Sequence, residues 1–269
     1  MFFVDSHLHT ADVGWESFKS MYLAGIRVVV SPAQLAAAKA VGNETIKDVW
    51  DYQLEVQINR VKENMIKSYA MIGISMVSTP RDDLAVLLKL LPDYLQLPEV
   101  VAVGEIGIEP GSNTSKDLNF QEKIVREQIK ILKDFKKTVV FHIPFSPENK
   151  IKYTQLMLDI CKEYDFPMSK VVIDHCSDAN IEIALQAGAY AGITVQPWRG
   201  ITPEIAAALI VKYGYDRIMV NSDCSPLRSD PLSVVKTAYV LQKKGVAENL
   251  IQKVCSDNAL EAYALQSIN

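Results

Sequence analysis

The sequence predicts an α/β fold built from eight strand–helix units closed into a (β/α)8 barrel. Three observations predict it. Eight short apolar runs, rich in β-branched residues, recur along the chain. Most lack polar alternation, as expected of parallel strands covered on both faces. Helical patterns lie between them, and a polar residue followed by proline repeatedly stands after a run. The 269 residues also suit one such TIM barrel, which needs about 250.

The eight runs fall at 2–4, 26–30, 71–74, 100–103, 139–141, 171–173, 191–195 and 218–220. Among the intervening segments the clearest helix carries Phe120, Ile124, Ile131 and Phe135, joined by Val125, Ile129 and Leu132, in an apolar stripe at helical spacing. Asn119 followed by Glu122 resembles a capping box at its start. Further helices fit 83–93, 151–164, 179–187, 204–213 and 232–243. The pairs Ser31-Pro32, Thr79-Pro80, Ser146-Pro147, Thr202-Pro203 and Asp230-Pro231 read as helix starts. A polar side chain there accepts a free amide, and proline at the first helical position loses no useful donor. The rival, an open doubly wound sheet, loses support because no Gly-x-Gly-x-x-Gly follows the first strand. Two stretches exceed the basic unit and distort the barrel pattern: 33–68, mostly helical, after the second strand, and 244–266 at the C-terminal end. No linker or low-complexity tract divides residues 1–269, so the expectation is a single domain.

Hydrophobic residues make up 49% of the chain and charged residues 22%, an ordinary globular balance. The formal charge is -4 and no lysine or arginine block stands out, which argues against a wide nucleic-acid footprint. A phosphate-bearing substrate stays open, because bound metal ions supply positive charge locally. Cys161, Cys176, Cys224 and Cys255 form no closely spaced pair, which fits free thiols in a reducing compartment. The first residues lack the basic start and long apolar stretch of a signal peptide, and no run is long enough to span a bilayer. A cytoplasmic protein without a membrane partner is the expectation. Oligomeric state leaves no mark in the sequence.

All four histidines follow strand-like runs. His7 and His9 end the first run, and residues two apart on a strand share a face, about 7 Å apart. Asp5, on that face one step deeper, is expected to orient them. Glu105 follows the fourth run, where a carboxylate can bridge two cations, and Gly104 and Gly107 beside it permit close backbone approach. Glu109 reads as loop structure. His142 closes the fifth run and His175 the sixth, as ligands of a second ion. Asp223, after the eighth, is placed to hold the first ion and to take a proton from the attacking water. Active sites of such barrels form at this C-terminal rim.

Asp5-Ser6-His7-Leu8-His9, Gly104-Glu105-Ile106-Gly107, His142, His175-Cys176 and Ser222-Asp223, in this order, resemble the TatD-type metal-dependent hydrolases, the TatD-related deoxyribonucleases of the amidohydrolase superfamily. Asn258-Ala259-Leu260 resembles the family's closing helix. The resemblance implies a distorted TIM barrel holding two divalent cations. His7, His9, Glu105 and Asp223 would hold one, and Glu105, His142 and His175 the other, with Asp223 and Glu105 serving catalysis. It implies hydrolysis, often of DNA phosphodiesters from an end. Asn221 replaces a glutamate common in the family, Glu109-Pro110 and His142-Ile143-Pro144 depart from the usual continuation, and 33–68 has no counterpart. These departures bear on the substrate more than on the metals.

Mixed imidazole and carboxylate ligands suit zinc best, with manganese, iron or cobalt as alternatives and magnesium less so. Arg199 and Arg228 are candidates to grip a phosphate, and Trp198 to stack on a base or sugar. The leading expectation is a phosphoester hydrolase with DNA as default substrate. One alternative is a hydrolase of a small amide, lactone or phosphoester. Another is a non-catalytic metal-binding scaffold.

Overall fold

Strands form where the β-branched runs predict them. In the computed structural model, which describes residues 1–34, 42–75, 83–111, 117–225 and 229–266, they are β1 (Phe3–Asp5), β2 (Ile26–Pro32), β3 (Lys67–Ile72), β4 (Val100–Gly107), β5 (Thr138–His142), β6 (Val171–Ile173), β7 (Tyr190–Thr194) and β8 (Ile218–Asn221). All pair in parallel, in chain order, in one eight-stranded sheet. The seam between first and last strand closes beyond their ends. Leu8 bridges Cys224, the Asp223 amide donates to the His7 carbonyl, and the His9 amide donates to the Cys224 carbonyl, both at 2.9 Å. The result is a (β/α)8 TIM barrel with alternating helices outside.

Period-two alternation sorts the side chains between lumen and outer layer. Val28, Val30, Val140, Val172 and Met219 turn inward and form one apolar cluster with Leu260 and Tyr263 from the C-terminal helix, which closes the barrel's lower end. Their neighbours Val139, Phe141, Val171, Ile173, Ile218 and Val220 turn outward onto the helices. This parity carries upward to the rim. His142 lies two residues beyond Val140, Asp174 two beyond Val172, and Asn221 and Asp223 two and four beyond Met219.

On β4 strict alternation would turn Glu105 outward, because Ala102 belongs to the lumen cluster. The pairing corrects this. From Val103↔Val139 to Ile106↔Phe141, β4 advances three residues while β5 advances two. That extra residue is a bulge, and it swings Glu105 into the lumen. A Cβ at Gly107 would collide with the His142 carbonyl oxygen, so the close approach of β4 and β5 needs glycine there.

Helix starts follow local chemistry. Ser146 caps Pro147–Glu163 by accepting from the Asn149 amide, and Thr202 caps Pro203–Tyr213 by accepting from the Ile205 amide. Asp230-Pro231 does not cap a helix as expected: the helix Ser233–Lys243 starts after Leu232, and Asp230 accepts from the Leu232 amide in the turn before it. Three further expectations need correction. Ser31-Pro32 does not start a helix but ends β2, and the Ser31 hydroxyl lies 3.1 Å from that of Thr10. Asn119 is not the cap of Leu118–Leu132; Asp117 accepts from the amides of Asn119 and Phe120. The third strand runs Lys67–Ile72, starting earlier than its apolar stretch, since its first residue lies at the exposed barrel bottom. Thr79-Pro80 lies outside the described residues.

The long connection after β2 is helical over Asn43–Tyr52, Gln53–Gln57 and Ile58–Lys62, with a wide π-type middle turn. It buttresses the loop after His9: Gln53 bonds Thr10, and Arg60 donates to the carbonyls of Thr10 (3.1 Å) and Val13 (2.6 Å). The C-terminal extension has the same build, Glu248–Gln252, Lys253–Asp257 and Asn258–Ala262. No helix among the described residues is long and apolar enough to cross a membrane.

Candidate metal centre

The six predicted residues converge at the upper mouth of the lumen. The His9 Nε2 lies 3.0 Å from Asp223 Oδ1, and the His7 and His9 ring centres are 5.3 Å apart. His7 Nε2 stands 3.7 Å from Glu105 Oε2 and 3.8 Å from Asp223 Oδ1. The other oxygen of Glu105, Oε1, faces His142 Nδ1 at 2.5 Å and His175 Nε2 at 2.8 Å. Potential ligand atoms of His7, His9 and Asp223 all lie within 4.8 Å of one another, as do those of His7, Glu105 and His175.

Two of these residues leave their strands in an unusual backbone conformation. His175 has φ 56° and Asp223 φ 41°, in the left-handed region that non-glycine residues seldom adopt. By parity from Asp174, His175 would face outward; the left-handed turn brings its ring back over the lumen. Such local strain persists where surrounding bonds over-determine it. Here the His175 amide is held by Asp174 Oδ1 at 2.8 Å, and its carbonyl oxygen accepts from the Lys150 ammonium.

His7 and Glu105 are almost fully shielded, at 1% and 4% exposure, so their charges act in a poor solvent for ions. Burial opposes a charge on His7, but Glu105 and Asp174 outweigh it and raise its pKa to about 10. Burial likewise opposes a charge on His142, yet Glu105 and Glu109 raise it to about 9. Burial raises Glu105, but His142 and His7 hold it well below the ordinary carboxylate range. Three buried carboxylates, Glu105, Asp174 and Asp223, thus favour a positive charge on His7 and His142, whereas burial keeps His175 below its ordinary pKa. A cation meets the same demand. The His7 Nε2 supports this fit: it is buried, has no hydrogen-bond partner, and faces one oxygen of each flanking carboxylate. Those separations are too long for hydrogen bonds. They approach the spacing of atoms sharing one ion at about 2.0–2.2 Å.

The expectation for Asp5 is corrected. It pairs in register with outward-facing Val29, and its bonds go to the His7 amide (3.4 Å) and to the Ser222 hydroxyl (2.5 Å) and amide (3.0 Å) rather than to an imidazole. Asp174 orients His7 instead, through a short contact with Nδ1. Its other oxygen takes the Asn221 side-chain amide at 2.8 Å. Gly192 makes room for it, since a Cβ there would strike the Asp174 carboxylate. The only sequence signal for Asp174 was its place immediately before His175. Thr194, 2.8 Å from His175 Nδ1, and Gln196, 3.1 Å from Asp223 Oδ2, were likewise missed. Glu109 proves more than loop structure, with Oε2 3.3 Å from His142 Nε2.

Arg199 reaches the centre, with Nη1 3.3 Å from Asp223 Oδ2 and its guanidinium 3.8 Å from the Phe145 ring centre and 4.4 Å from that of Trp198. Trp198 lies at the edge, 44% exposed. Arg228 lies outside the described residues.

The sequence matches the family described as TatD related DNase over residues 4–264. The chain belongs to that family. As a TatD-family protein it is a metal-dependent hydrolase, and its buried imidazoles and carboxylates fit divalent metal. It is 28% identical over 262 residues to an uncharacterized metal-dependent hydrolase of Methanocaldococcus jannaschii, covering 97% of this chain and all of that one. The fold is shared with a TatD-like protein of Archaeoglobus fulgidus, at TM-score 0.79 and 24% identity over 98% of this chain and 100% of that one. It is also shared with a TatD homologue of Escherichia coli, at TM-score 0.71 and 18% identity over 98% of both.

Proposed function

We propose that the protein hydrolyses phosphoester bonds with two divalent cations held by His7, His9, Glu105, His142, His175 and Asp223. The observation that carries this reading is the position of Glu105. Its Oε2 faces His7 and its Oε1 faces His142 and His175, so one carboxylate can serve two ions. His7, His9, Asp223 and Glu105 would then hold one ion, and Glu105, His142 and His175 the other. Zinc suits this donor set best; manganese, iron and cobalt suit it too, and magnesium less so. Such ions, when bound, lower the pKa of water toward about 7.

Asp223 takes the proton from the attacking water. It is kept ionised for that role, because His9 and His7 outweigh the effect of burial on its charge. Gln196 and Arg199 fix its Oδ2 so that the carboxylate presents one orientation. Arg199 offers its remaining donors to phosphate oxygens of the substrate, and Trp198 offers an exposed ring beside them. DNA cut from an end is the default substrate for a member of this family. A small phosphoester is the second reading, favoured by the net charge of -4 and the lack of a basic stripe. Four buried, unpaired thiols support a cytoplasmic setting, and continuity of the sheet supports one domain over residues 1–269.

The test is metal analysis of untreated protein together with turnover of labelled single-stranded DNA against a phosphomonoester and lactone panel. Two ions per chain and chelator-sensitive DNA cleavage are expected. Cleavage of a lactone alone, or activity undiminished in both His7→Ala and Asp223→Ala, would overturn the reading.

A further inference from the structure

Beside the metal centre, on the His175 side, lies a cleft of about 120 Å³ lined by Phe145, Lys150, His175, Ser177, Thr194 and Arg199. Two of its walls are cationic. Lys150, in the first turn of the helix Pro147–Glu163, is 5% exposed, and its ammonium lies 5.1 Å from the Phe145 ring centre. It donates to the His175 carbonyl oxygen, which occupies one of its three donors. Among the described residues no carboxylate oxygen lies within 4.0 Å of it. The Arg199 guanidinium covers the same Phe145 ring, and its buried Nε has no hydrogen-bond partner. None of the residues lining the cleft is acidic. Buried lysine is rare without a paired anion, because burial of an uncompensated charge is costly.

We propose that this cleft binds a second, non-reacting phosphate of the substrate, next to the one at the metal centre. The identity of the reacting group rests on the phosphoester reading above; the anion site does not. The volume equals about four waters at roughly 30 Å³ each, enough for a tetrahedral oxyanion. Arg199 is already paired through Nη1 with Asp223, so a phosphate here would take the Lys150 charge and the remaining donors of the Arg199 fork. The arginine fork and the lysine point charge are the usual pair for such a group. The preferred substrate therefore carries two phosphates, as a phosphorylated dinucleotide or the end of a phosphorylated strand does.

The experiment is calorimetric titration of the metal-loaded protein with inorganic phosphate, with metal content measured on each sample. Lys150→Met should weaken phosphate binding by about tenfold or more at unchanged metal content, and Lys150→Arg should stay within about threefold of wild type. Arg199→Met, at a more exposed wall, should weaken it by a similar factor and serves if Lys150→Met does not fold. Unchanged affinity in the charge-removing variant that folds overturns the proposal. So does loss of metal together with phosphate, which would make Lys150 only a positioning residue for His175. Acetate binding as tightly as phosphate overturns it as well. In turnover, Lys150→Met should raise KM for a 5′-phosphorylated dinucleotide about tenfold more than it raises KM for bis(4-nitrophenyl) phosphate. Equal effects on both would assign Lys150 to the reacting phosphate instead. If neither compound is cut, the hydrolysis reading fails while the titration still decides the cleft.

Discussion

The lumen divides into two halves built by the same strands for opposite ends. In the lower half Val140, Val172 and Met219 meet Leu260 and Tyr263 in an apolar cluster. One strand step higher, His142, Asp174 and Asn221 replace them with ionisable and polar groups. Each buried aliphatic side chain below contributes roughly 1.5–3 kcal/mol. Each buried charge above costs several kcal/mol unless a partner or an ion offsets it. The fold is therefore secured from below, and the rim is free to hold side chains that a packed core would reject. Changes above should remove metal and activity, whereas changes below should remove stability.

The largest effect expected from this division is at His7, whose Nε2 faces both Glu105 and Asp223 and would hold the first proposed ion. His7→Ala should abolish binding of at least one ion and lower hydrolysis by about 10³-fold or more. Metal analysis beside single-turnover assays measures both. A variant that kept its metal when folded but unfolded at much lower denaturant would place His7 with the stabilising half and break the comparison.

Next comes the plug. Leu260 is buried among the lower lumen residues, and Leu260→Ala should cost about 2–5 kcal/mol of stability. Denaturant unfolding would report this, and metal content per folded molecule should not change. Loss of metal at low denaturant, ahead of unfolding, would show the halves to be coupled.

How far the sequence discloses this arrangement depends on the range of each interaction. The strands were legible because continuous runs such as 139–141 and 171–173 have no other stable use. The caps at Ser146 and Thr202 were legible because they act within three residues. The ligand candidates stood out because imidazoles and acids interrupt apolar runs. Glu105, in contrast, faces the lumen only because of a bulge set by pairing with β5, which strict alternation would have missed. Ser31-Pro32 carries a helix-start signature but is claimed by pairing with Ala70 and Met71 of β3. Asp174 was hidden for a similar reason: its partner His7 lies 167 residues away, and only its place before His175 marks it locally. Arg199 and Lys150 share the Phe145 ring because the barrel brings the segments after β5 and β7 together.

The missed Asp174 sharpens the comparison at intermediate strength. Asp174→Asn retains size and one acceptor but removes the charge that aligns His7. Metal affinity should fall by about 10- to 100-fold, as for other carboxylates that orient a ligating histidine. Competition with a chromogenic chelator measures it, while the melting temperature of the metal-free protein should change little. Unaltered affinity would mean that the rim alone fixes the His7 ring.

The smallest effect belongs at the outer edge, where neither half has a claim. Trp198 is 44% exposed, and the Arg199 guanidinium, 4.4 Å from its ring centre, already occupies one face. Only the other face is left for a base, so Trp198→Ala should raise KM for single-stranded DNA by about fivefold, the lower end of the ~1–3 kcal/mol that stacking on an aromatic ring contributes. Stability should stay within about 0.5 kcal/mol, as expected for an exposed side chain, and kcat should hold because Asp223 retains its bonds to Gln196 and His9. A fall in kcat with KM unchanged would mean that the indole acts through Arg199 on Asp223, extending the catalytic rim outward to a residue that the burial pattern assigns to solvent.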